Sequence, residues 1–143
     1  MGDDLAASNV NRSYSLAATS IAIFTFLLFF LYPRFTNGEI GPLAFQGTLI
    51  AMAVATFSFV FSSFLYYCAS LGGGIDAAER ELCSRRGDRL WLLGYTVLFL
   101  VPSLILFAIG LLAVACAWFA LWLAYLVFVI RSFPKIQAAR RVA

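Results

Sequence analysis

Three stretches without a single charged residue divide the chain: Tyr14 to Tyr32, Leu43 to Leu71 and Leu90 to Ile130. At 1.5 Å rise per residue, the forty-one positions of the last stretch would reach about 60 Å as a helix, twice a ~30 Å hydrocarbon core. The first two stretches each suffice for one crossing. The pattern predicts an all-α integral membrane four-helix bundle in one domain over 1–143, with spans at about 14–32, 43–71, 90–109 and 111–130. The first stretch is too long for the apolar region of a secretory leader, and Leu31-Tyr32-Pro33-Arg34 is no small-residue cleavage site, so it reads as a retained span.

Turn-forming residues sit where this division needs them. Pro33, Asn37-Gly38 and Gly41-Pro42 are expected to break the first helix and reverse the chain. Gly72-Gly73-Gly74 is expected to end the second. At about 43 Å that span is longer than the bilayer core, and the polar Tyr66, Tyr67, Cys68 and Ser70 point to its last turns as the projecting part. Gly110 is the one breaker near the middle of the long stretch, while Pro102 falls inside the third span and would kink it.

Between the second and third spans, Asp76 and Glu79 have capping-box spacing, and Gly87 reads as a helix stop. Asp76/Arg80 and Glu81/Arg85 are acidic-then-basic pairs at i,i+4, the favourable order. A short amphipathic helix over about 77–86, lying along the membrane surface, is the expectation.

Charge then sets the orientation. Arg12, Arg80, Arg85, Arg86, Arg89, Arg131, Lys135, Arg140 and Arg141 all fall on one side of the predicted spans, against Arg34 alone on the other. Nine to one is a strong positive-inside bias, so both termini are expected in the cytoplasm, in a plasma or inner membrane.

Composition agrees and narrows the chemistry. The 143 residues are 63% hydrophobic and 12% charged, about half the charge of a soluble domain. Mean hydropathy is +0.93. The net charge of +3 comes from residues flanking spans, where topology and anionic lipid account for it better than nucleic acid does. There is no histidine, and Cys68, Cys83 and Cys116 lack metal or redox spacing. No Asp, Glu, Lys, Arg or His lies inside a span, which disfavours proton- or ion-coupled transport. No catalytic, cofactor or metal residue is expected, and the chain reads as a non-enzyme.

The remaining signal lies in stripes of small and polar residues. On the second span Thr48, Ala51, Ala55, Ser58 and Ser62 share one face. On the fourth, Ala113, Ala117, Ala120 and Ala124 do the same, with Trp118, Trp122 and Tyr125 around the opposite side. Small residues let helices approach closely, so both stripes are expected as seams within the bundle or between subunits. On the first span Arg12, Ser15, Thr19, Ala22, Phe26 and Phe29 run from polar to aromatic along one face. Around an oligomer axis they would line a cationic vestibule closed by phenylalanines. The plainer reading is a snorkelling arginine and hydroxyls bonded back onto their own helix.

Two functions follow. The sequence favours a homo-oligomeric pore or channel subunit with helix one lining the path. The alternative is a structural protein that docks a cytoplasmic partner, or anionic lipid, through Arg80, Arg85, Arg86, Arg89, Arg131 and Lys135. The expected partners are the bilayer, further copies of the chain and a cytoplasmic protein, with no nucleic acid and no cofactor.

Overall fold

The computed structural model describes the backbone of residues 2–71 and 76–139, and the side chains of residues 8–71 and 76–132. It is all-α: α1 (Gly2–Thr36), α2 (Pro42–Ser70), α3 (Ala77–Ala108) and α4 (Leu112–Ala139), with no strand among the described residues. Each helix carries a segment long and apolar enough to cross a membrane, so the protein is an integral, multi-pass membrane protein.

Two of the turns are built alike, each around one glycine. Gly38 and Gly110 have φ of 76° and 82°, a left-handed conformation that a side chain would strain. After α1, Glu39 N–H bonds to Arg34 O and Gly38 N–H to Phe35 O. After α3, Leu111 N–H bonds to Leu106 O and Gly110 N–H to Phe107 O. Both are Schellman motifs, which satisfy carbonyls a helix end otherwise leaves open. The division of the long apolar stretch at Gly110 thus has a physical cause. Pro33, expected to break α1, is instead carried inside it; the helix stops at Gly38. The Gly72-Gly73-Gly74 segment lies outside the described residues.

Neighbouring helices run antiparallel, and the substantial contacts are α1 with α2, α2 with α3, and α3 with α4. The best-fitted seam is the middle one. Tyr66, Phe59, Met52 and Phe45 recur every seven residues on α2, all buried. Facing them in the antiparallel register, α3 offers Gly87, Gly94, Val101 and Ala108, again every seven and all buried. A Cβ on Gly94 would stand 2.9 Å from the Phe59 ring, and one on Gly87 3.1 Å from the Tyr66 ring. Large side chains of α2 therefore enter holes that the missing Cβ atoms leave in α3, a heptad fit.

This packing overturns the short surface helix. Gly87 does not stop a helix; it sits inside α3, which runs unbroken from Ala77 to Ala108. A mid-helix glycine costs about 1 kcal/mol in propensity, and the Tyr66 contact it permits offsets that cost. The capping box is not formed either: Asp76 is the N-cap but its side chain makes no cap bond, at an exposed end where water can serve the first N–H groups. The Glu81–Arg85 pair does form, at 2.7 Å. At the other end of the chain order, α1 extends to Gly2, about three turns before the predicted span, because hydropathy sets the crossing and not the helix length.

α1 uses a stripe that the polar-to-aromatic pattern hid. Ser13, Ala17, Ser20, Leu27 and Leu31 are buried, with Phe24 packed against the core between them. Their alternating spacing of four and three residues makes a seam, small in the basic half and large in the other. α4 stands apart, bonded to α3 on a single face.

Candidate functional site

Where α1, α2 and α3 meet near the basic end, a cluster of polar contacts joins all three helices. Ser62 Oγ donates to Gly87 O at 2.8 Å, a fully buried bond joining α2 to α3. One turn on, Tyr66 Oη donates to Asp88 Oδ1 at 2.6 Å. The two bonds bracket the Gly87–Tyr66 contact, so hole, ring and carboxylate hold one register. Ser63 Oγ reaches Val10 O of α1 at 3.4 Å. Arg12 of α1 lays its guanidinium over Trp91 of α3, 4.8 Å from the ring centroid. A charge beside an indole marks an interfacial depth, and Asp88 and Arg89 lie at the same level of α3.

Beyond this collar α3 continues outward. Residues 77–89 make about 20 Å of helix. Glu79, Glu81, Leu82, Arg86 and Arg89 are exposed on it, while Arg80 and Arg85 are half-buried. Arg85 is engaged by Glu81, so the exposed Arg86 and Arg89 form a basic patch near the base of the extension, while Asp76 and Glu79 are exposed at its tip. Arg131, at the basic end of α4, is exposed; Lys135 lies on α4 with its side chain outside the described residues.

The α2 stripe lies in the interior: Thr48, Ala55 and Ser62 are fully buried, Ser58 nearly so, and Ala51 half-buried. Thr48 and Ser58 spend their hydroxyls on Ala44 O and Val54 O of their own helix. The α4 stripe does not join it. Ala113, Ala117, Ala120 and Ala124 are all exposed, and the face turned to α3 is the aromatic one. Trp118 Nε1 donates to Phe99 O at 3.0 Å and Trp122 Nε1 to Thr96 O at 2.8 Å. Ser103 Oγ donates to Ala115 O at 3.0 Å. An indole N–H in hydrocarbon needs an acceptor, and a helical carbonyl has a second lone pair to give. That requirement orients α4 more strongly than small residues do.

The α1 residues proposed to line a path are exposed on the outside of the chain: Arg12, Ser15, Thr19, Ala22, Phe26 and Phe29. Phe26 and Phe29 are 67% and 76% exposed. Thr19 Oγ1 donates to Ser15 O at 2.9 Å, bonding back onto its own helix. The structure thus brings Arg12 to Trp91 and leaves the rest of that stripe exposed, with contacts only along α1 itself among the described residues.

Sequence reasoning missed the collar. Its signal is present in glycines seven residues apart on α3 opposite aromatics seven apart on α2, but from sequence alone a glycine beside a charged segment reads as a helix stop. Ser13 and Ser20 were missed as well; their hydroxyls are buried without a hydrogen-bond partner among the described residues, in a helix where serine can turn to the carbonyl four residues back. The three cysteines are free thiols. Comparison of the chain with protein-family models, with curated proteins and with solved structures finds no match.

Proposed function

We propose that this protein is a non-catalytic membrane subunit that docks a cytoplasmic protein with an acidic surface on the outward extension of α3. The observation that carries the reading is the continuity of α3 from Ala77 to Ala108. A basic surface on a flexible connector would be a solvated loop; here it is a rigid extension of a transmembrane helix, fixed at its base by Ser62, Tyr66 and Gly87. Arg86 and Arg89 supply charge, and Leu82, 48% exposed, supplies an apolar contact beside them. Rigid presentation lowers the ordering cost of binding. The nine-to-one distribution of basic residues supports a cytoplasmic position for this end.

A photo-reactive residue at Leu82, in membranes of cells expressing the full chain, tests the reading. One discrete adduct is expected, lost in the Arg86→Glu/Arg89→Glu double variant and never formed from Val60, which faces the hydrocarbon. Absence of any adduct from correctly inserted protein contradicts it.

The pore-subunit reading keeps one observation in its favour, the exposed polar-to-aromatic face of α1. Against it, Arg12 lies over Trp91 and Thr19 donates to the Ser15 carbonyl, so two of the polar side chains of that face already have partners within the chain. Ion flux in liposomes separates the two: a leak in Phe26→Ser or Phe29→Ser supports the pore, and tight vesicles from the parent and both variants support docking.

A further inference from the structure

An aromatic ladder on α3 leads from the interface into the membrane. Trp91 and Tyr95 stand 4.6 Å apart by ring centroid, Tyr95 and Phe99 5.4 Å, and Phe99 and Tyr125 of α4 5.4 Å. At its inner end the ladder opens into a cavity of about 210 Å³ between α3 and α4, lined by Phe99, Tyr125, Trp118, Leu121 and Trp122. At its outer end stands Arg12, exposed and without an ion pair among the described residues. From Trp91 to Phe99 the helix rises about 12 Å, close to the ~15 Å depth of one leaflet.

We propose that this cleft binds an anionic phospholipid, its acyl chain laid along the ladder into the α3/α4 cavity and its phosphate held by Arg12. Charge complementarity selects the headgroup. A guanidinium stacked by its face on an indole still presents its N–H edges, the fork that binds phosphate bidentately. Dimensions select the tail: a slot of about 210 Å³ admits a hydrocarbon chain, whereas a neighbouring helix is 10–12 Å across. This site is separate from the α3 extension and does not depend on the docking role.

Trp118 and Trp122 line the cavity and Trp91 stands beneath Arg12 at the head of the ladder, so tryptophan fluorescence reports on the site. The full chain is reconstituted in phosphatidylcholine vesicles that carry acyl-brominated phosphatidylglycerol or, at equal mole fraction, acyl-brominated phosphatidylcholine. The expected result is about fivefold stronger association of the anionic lipid, read from quenching. Arg12→Gln should bring the ratio close to one, Arg12→Lys should leave it in between, and Arg140→Gln, an equal charge change on the same side of the spans, should leave it at the parent value. Circular dichroism confirms helical folding of each variant. Equal quenching by the two lipids in the parent, or equal losses from Arg12→Gln and Arg140→Gln, overturns the site. Tryptophans shielded from both lipids in a dimer assign the cleft to a second copy of the chain and overturn it too.

Discussion

α2 and α4 are near-equal in length and apolarity, each with a row of small residues down one face, yet they occupy opposite extremes of burial. In the most apolar window of α2, 44% of residues are buried; in that of α4, 6%. The difference lies in what faces them. α2 sits between α1 and α3, and its large residues Tyr66, Phe59, Met52 and Phe45 enter, on α3, a heptad row of glycines and smaller residues. Among the described residues α4 packs on α3, through two indole bonds and one serine bond, and the four alanines of its stripe face outward. A small-residue stripe permits close approach but does not create it; the opposite helix must supply side chains that fill the space.

The strongest way to break this comparison is to fill the holes. Gly94→Leu forces a side chain against the Phe59 ring, and Ala55→Leu enlarges a fully buried position. Each is expected to destabilise the folded chain by about 3 kcal/mol, at the upper end of ordinary overpacking, as read by unfolding in mixed detergent micelles. Ala117→Leu, exposed on α4, is expected to change the same measurement by less than about 0.5 kcal/mol. If Ala117→Leu unfolds the chain as readily as Gly94→Leu does, α4 is as tightly held as α2.

A second test removes one polar contact at a time. Tyr66→Phe deletes the bond to Asp88, an expected loss of about 1–2 kcal/mol in the same assay. Trp122→Phe removes the indole bond to Thr96 O, with a smaller expected loss of about 0.5–1.5 kcal/mol. The two should also differ in reach. Tyr66→Phe should raise hydrogen exchange across α2 and α3 together, and Trp122→Phe only in α4. Uniform acceleration in both variants would erase the distinction between core and appended helix.

The extent of the spans was legible because hydrocarbon tolerates so few charges, and the turn at Gly110 because few residues adopt its backbone. The register between helices was not. Stripes on α1 and α4 were read from small and polar residues, but a lipid-facing alanine and a buried one look alike in sequence. Aromatic side chains decided the packing of α4, since Trp118 and Trp122 must place an N–H on an acceptor. On α3, a glycine that ends helices in water was retained inside one, because Tyr66 occupies the space above it. The stripe around Arg12 was visible, while its turn towards Trp91 depended on a contact between helices far apart in sequence.

What joins this packing to the docking role is the unbroken course of α3 through Gly87. Spin labels at Leu82 and Phe107, both exposed and nearly seven whole turns apart, measure it in the full chain with its three native cysteines replaced by serine. Twenty-five residues of continuous helix predict a narrow distance distribution centred at about 37 Å, unchanged when the protein moves from micelles to bilayers. A broad distribution centred several ångströms shorter, repeated with labels at Leu82 and Phe99, a pair that excludes Pro102, would mean that the helix breaks at Gly87, and the rigid platform under Arg86 and Arg89 would not exist.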